Sequence, residues 1–134
     1  MLTITEITDR LTPIFQDERI RLVILFGSVA SGRQHPRSDI DLAFLFEEDV
    51  DLVDLNCKVT EHLKSDKVDI IDLRHANPLL KFSVARSGKL LYQKSPGLFT
   101  EFCSLAFRMY ADSKKLRDAQ AIAINKYLAA KGIR

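Results

Sequence analysis

Long hydrophobic runs, paired cysteines and a large excess of one charge are all missing from this chain of 134 residues, and each absence excludes something. The longest apolar stretches fall far short of the roughly 20 residues that a membrane-crossing helix needs, so no membrane span is expected. Met1 to Arg10 has neither a basic start nor an apolar core, so no secretory signal is read there. The two cysteines, Cys57 and Cys103, stand 46 positions apart with no Cys-x-x-Cys or Cys/His spacing. They read as buried or half-buried free thiols in a reducing, cytoplasmic setting, not as a disulfide or a zinc site. A net charge of +2 creates no overall field for nucleic acid, and direct nucleic-acid binding is not expected. What asymmetry there is lies at one end: Gly97 to Arg134 carries seven Lys/Arg against Glu101, Asp112 and Asp118. That segment reads first as a solvated helix face and second as a surface for a partner.

What is present is one domain's worth of chain, 46% hydrophobic and 28% charged, as in ordinary soluble proteins. With no repeat, low-complexity tract or linker, 1–134 reads as a single domain, with a core over about 4–93 and a C-terminal helix over about 98–131. Ile7, Leu11, Ile14 and Phe15 recur at helical spacing and predict a helix over Thr5–Asp17, capped by Thr3 or Thr5 and disturbed by Pro13. Arg21–Phe26 (RLVILF) is a buried-strand pattern, broken by Gly27, with a short helix expected from Ser28 and a polar loop over Arg33–Ser38. Asp39–Phe46 (DIDLAFLF) and Lys67–Leu73 (KVDIIDL) read as two more strands, separated by a helix over Leu52–Lys64. Asn77-Pro78 starts a helix that Gly88 ends, Lys89–Gln93 suits a short edge strand, and a long helix begins at Leu98. Its stripe of Phe99, Phe102, Ala106, Met109, Leu116, Ala123, Tyr127 and Ala130 reads as packing on the domain, while Phe99, Phe102, Phe107 and Tyr110 read alternatively as aromatic anchors for a partner. Helices interleaved with strands predict an α/β (α+β) fold, a small mixed sheet flanked by helices.

The most informative stretch joins two of these strands. Gly27-Ser28 ends the first, and after a ten-residue gap Asp39-Ile40-Asp41 opens the second. A strand that turns through glycine into a helix aims unpaired backbone N–H groups out of the sheet end, where they suit a phosphate, and the Ser28 hydroxyl adds a donor. Asp39 and Asp41, two apart on a strand, project side by side. Two such carboxylates repel one another unless a hard cation such as Mg²⁺ lies between them and shares them with substrate phosphates. A third carboxylate is then expected from a neighbouring strand. Asp69, flanked by Val68 and Ile70 inside an apolar run, is the better candidate, because Asp72 at the strand's end is more easily a cap.

Gly27-Ser28, Ser38-Asp39-Ile40-Asp41-Leu42 and Val68-Asp69-Ile70 together resemble the signature of the DNA polymerase β-like nucleotidyltransferase superfamily. The short length resembles its minimal branch, the MNT antitoxins of HEPN–MNT toxin–antitoxin pairs; the likeness spans roughly Ile4 to Gln93. That resemblance implies the polymerase β-like fold and transfer of AMP from ATP, with Mg²⁺, to a tyrosine hydroxyl of a partner HEPN toxin encoded by the adjacent gene. It implies that Asp39 and Asp41 bind the metals. Asp69 would ligate the catalytic metal and help deprotonate the acceptor. Gly27 and Ser28 would hold the outer phosphates, joined in the nucleotide-binding set by Arg33 and Ser38. Several relatives have Arg where this chain has Ser31, a loss that Arg33 and Arg37 can offset from the same loop. None of His35, His62 and His75 follows an Arg at the four-to-six-residue spacing of the HEPN ribonuclease motif, so the chain reads as the antitoxin half. Two alternatives stand beside this: a non-catalytic antitoxin that neutralises by binding, and a small-molecule nucleotidyltransferase. Assembly as a homodimer or a hetero-oligomer is expected with such a partner.

Overall fold

The computed structural model describes residues 2–30 and 39–132, with Ser28 and Val29 described by their backbone alone. Five helices and four strands alternate along these residues: α1 Ile4–Leu11, β1 Ile20–Phe26, α2 Gly27–Ala30, β2 Ile40–Phe46, α3 Leu52–Leu63, β3 Val68–Asp72, α4 Pro78–Ser87, β4 Lys89–Gln93 and α5 Leu98–Ala130. Local chemistry sets most boundaries. The N–H of Glu6 donates to the Thr3 hydroxyl, those of Val53 and Asp54 to the Asp51 carboxylate, and that of Leu80 to the Asn77 side chain. Each bond satisfies helix-start donors that would otherwise lack partners.

Two boundary expectations need correction. The helix expected over Thr5–Asp17 stops at Leu11, and the chain resumes as a single 3₁₀ turn at Ile14–Gln16. Pro13, lacking an N–H and locked in φ, cannot carry the helical ladder through that point. Gly88 ends α4 as expected but in extended backbone, with φ −74° and ψ 156°, so it is no left-handed cap. Crowding explains it: a Cβ there would stand 2.5 Å from Ile24 Cγ2 and from the Val84 carbonyl oxygen. Gly88→Ala is therefore expected to lower stability by about 1–3 kcal/mol, as overpacking does, read as a reduced urea midpoint with an unchanged slope.

The sheet order is β3-β2-β1-β4. β1 runs antiparallel to β2 and β4, while β2 and β3 are parallel and joined by a crossover through α3. Both faces are covered. On one, Val23, Leu25, Leu42 and Phe44 pack with Ile7 and Leu11 of α1 and with Leu55 and Val59 of α3. On the other, Leu22, Ile24 and Ala43 pack with Val84 and Ala85 of α4 and with Phe102 and Ala106 of α5. This double burial is why β1 and the body of β2 are nearly continuous apolar runs.

α5, at 33 residues, is roughly 50 Å long. Its first turns serve the domain, and Phe107 and Tyr110 flank Phe82 of α4, Tyr110 stacked on it at 3.9 Å. Beyond that the stripe is largely exposed among the described residues: Leu116 and Tyr127 are both 61% exposed. Packing on its own domain thus accounts for only the first part of the stripe. Cys57 is exposed on α3, contrary to its reading as a buried or half-buried thiol, whereas Cys103 is half-buried and burial pushes its thiol pKa up. Both thiols are free. Among the described residues no helix is long and apolar enough to cross a membrane.

Candidate active site

The carboxylates converge because of sheet register. In the parallel β2–β3 pair Asp41 lies beside Asp69, and in the antiparallel β1–β2 pair it lies opposite Phe26. Ile40 and Leu42 turn to the α1–α3 side, and so do Val68 and Ile70. Strand alternation therefore sends Asp41 and Asp69 to the other face, the one α4 and α5 cover. Asp39 lies just before the start of β2 and is exposed, Asp69 is exposed on the edge strand, and Asp41 between them is half-buried. Burial pushes the Asp41 carboxyl above its ordinary pKa, and the charges of Asp69 and then Asp39 push it further.

The glycine half of the motif touches this cluster directly. Gly27 has φ +78°, in the left-handed region, and a Cβ built on it would overlap Oδ2 of Asp41. The turn from β1 into α2 is thus the surface on which the Asp41 carboxylate rests, and the glycine leaves the space that carboxylate occupies. Ser28 follows in the backbone of α2. Arg33 and Ser38, together with Ser31, His35 and Arg37, lie outside the described residues.

The other acidic candidate is used elsewhere. Asp72 accepts the Arg74 N–H at 3.0 Å and lies 3.7 Å from the His75 ring, closing the turn after β3. His62 is held at 2.7 Å from the Lys58 carbonyl on α3. One neighbour was missed in reading the sequence: Phe26, whose ring packs with the α4–α5 core and forms the apolar wall beside Asp41. Its signal was present, in its place one residue before Gly27, but only the cross-strand register pairs it with Asp41.

Among the described residues no three His, Cys, Asp or Glu side chains gather into a ready-made metal cage. The donor set still suits Mg²⁺, which is commonly held by one or two carboxylates with the remaining oxygens drawn from phosphates and water. A half-buried carboxylate with two like charges nearby is also one that a cation would relieve.

Residues 9–97 match the family described as Polymerase beta, Nucleotidyltransferase. The chain belongs to that family. This nucleotidyltransferase is similar to the Protein adenylyltransferase MntA of Aphanizomenon flos-aquae, 29% identical over 126 residues that span 85% of this chain and 84% of the relative. It is also similar to the protein of the same name from Shewanella oneidensis, 40% identical over 77 residues, 55% of each chain. Among solved structures, it overlays a chain of a toxin–antitoxin crystal structure with AMP-PNP at a TM-score of 0.76 and 30% identity, covering 87% of this chain and 97% of that one. A chain from the complex of tri-AMPylated Shewanella oneidensis HEPN toxin with MNT antitoxin overlays at 0.72 with 25% identity, covering 91% and 98%.

Proposed function

We propose that this nucleotidyltransferase transfers AMP from ATP to a tyrosine hydroxyl of a HEPN-type toxin and so acts as its antitoxin. One observation carries the reading: register and a bare glycine bring Gly27, Asp41 and Asp69 to one sheet end, in a chain similar to proteins called protein adenylyltransferases. The similar structures with AMP-PNP and with an AMPylated HEPN toxin support the donor and the partner. ATP as donor accords with the cytoplasmic setting expected from the sequence.

Asp39 and Asp41 would hold Mg²⁺, with Asp69 completing the carboxylate set. Such an ion, when bound, would supply neutralisation of the phosphate charge. Gly27 keeps the backbone low enough for phosphate oxygens to approach; Gly27 and Ser28 would hold the outer phosphates, with Arg33 and Ser38 joining them in the nucleotide-binding set. Asp69, exposed on the edge strand, is open to an incoming protein side chain and takes the proton of the acceptor hydroxyl. The acceptor oxygen bonds to the α-phosphorus, the bond from that phosphorus to the bridging oxygen breaks, and pyrophosphate leaves. The residues contribute mainly positioning and charge complementarity.

The test is the intact mass of the protein encoded by the neighbouring gene, expected to be of HEPN type, after incubation with this chain, ATP and Mg²⁺. The expected result is a gain of whole AMP units that the Asp39→Asn variant does not produce. A stable complex with no mass gain would move the function to neutralisation by binding, the reading that the free half of α5 favours.

A further inference from the structure

At the end of the sheet away from the carboxylates, α5 roofs a cavity of about 310 Å³. Its walls are apolar, formed by Leu45, Leu73, Phe102, Leu105 and Met109, while Arg21, Arg74 and Lys81 stand around it against the single carboxylate of Glu101. Arg74 is paired with Asp49 at 3.3 Å. Among the described residues, Arg21 and Lys81 make no ion pair. The apolar floor continues outward through Leu105, 51% exposed, towards the uncovered stripe of α5.

We propose that this groove is the docking site for the toxin partner, and that it takes an acidic segment whose apolar side chain fills the cavity while its carboxylates meet Arg21 and Lys81. The inference rests on the adenylyltransferase reading above and adds where the partner is held. Charge complementarity selects the occupant. A second copy docking by two-fold symmetry would set this cationic rim, and the basic stretch from Arg108 to Lys131, against themselves. A small molecule would leave the exposed stripe beyond Leu105 unexplained, and the cavity alone sits at the lower limit of ordinary ligand pockets.

The placement has a consequence for catalysis. Asp41 and Leu45 lie on the same face of β2, four residues or roughly 13 Å apart, and Ala43 between them is buried under α4 and α5. Docking therefore leaves the nucleotide end open, and the acceptor hydroxyl belongs to a different part of the partner from the docked segment. A short peptide carrying only the acceptor tyrosine is expected to be a poor substrate.

The experiment compares full-length wild type with Lys81→Glu and with Leu105→Ser, using the protein encoded by the neighbouring gene. It reads the KM for that protein, its Kd, Mg²⁺-dependent binding of a fluorescent ATP analogue, and the chain's own mass in solution. The expected result is a rise of about tenfold or more in KM and Kd, consistent with losing a central contact, with ATP-analogue affinity unchanged and Lys81→Arg near wild type. Unchanged KM and Kd in both variants would overturn the docking site while leaving the adenylyltransferase reading intact. A shift from dimer to monomer with KM unchanged would also overturn it and assign the groove to a second copy. A wild-type chain that neither binds nor modifies the partner would overturn both readings together.

Discussion

Asp41→Asn is expected to abolish AMP transfer and, at the same time, to raise the melting temperature of the metal-free protein. The two effects share a cause. Asp41 is the half-buried member of the carboxylate set, held above its ordinary pKa first by burial and then by Asp69 and Asp39. Ionised, it destabilises the fold; Asn keeps its shape and removes the charge. Transfer should drop by about a thousandfold or more, as when a principal charge-stabilising group is lost, while Tm rises by about 1–4 °C. The pH dependence follows from the sign of the shift. A carboxyl whose folded pKa is raised binds its proton more tightly in the folded state, so its penalty grows as pH rises from the ordinary carboxylate value through the raised one. The Tm advantage of the Asn variant should accordingly vanish below about pH 4 and grow as pH rises through the raised value. Calorimetry in EDTA across that range, beside a transfer assay, checks both halves. Equal Tm values at pH 7 would show that Asp41 is not strained by its neighbours, and residual transfer near the wild-type rate would remove it from the site.

Gly27→Ala should be nearly as damaging to activity, for a steric reason. The alanine would have to hold φ +78°, and its Cβ would overlap Asp41 Oδ2. The strained backbone and the clash are together expected to lower stability by about 1–3 kcal/mol. The displaced carboxylate should reduce transfer by about a hundredfold or more, because small misplacements at a positioning site are costly. A double-mutant cycle separates the two causes. In an Asp41→Ala background the clash partner is gone, so Gly27→Ala should cost only the backbone strain, visibly less than in the wild type. Urea denaturation of the four proteins reads the coupling, and strict additivity would mean that Gly27 and Asp41 do not touch in solution.

Much of this site was readable along the chain, because the residues that break a pattern are conspicuous against it. Asp39 and Asp41 stand at the mouth of an apolar strand, Asp69 interrupts another, and Gly27 ends a third. The elements were readable for the same reason: burial on both faces writes β1 and β2 as apolar runs, and Asn77-Pro78 announces the helix it starts. Less readable were features whose cause is a neighbour distant in sequence. Nothing near Gly88 says that Ile24 will crowd it. The stripe on α5 looks alike along its length, whether it packs with α4, as at Phe102 and Ala106, or stands exposed, as at Leu116 and Tyr127.

The sequence by itself determined the chemistry available: three carboxylates, a glycine turn, a polar loop between strands, and a basic C-terminal helix. Local periodicity and capping act over a few residues, so they survive in the linear order. Only the tertiary structure decided how these parts meet. The parallel pairing of β2 with β3 sets Asp69 beside Asp41, the turn of β1 lays Gly27 against the same carboxylate, and α5 crosses the far end of that face to roof a cationic groove. Those contacts join positions far apart in the chain, and their register comes from burying both faces of one sheet at once, a condition that no local segment carries.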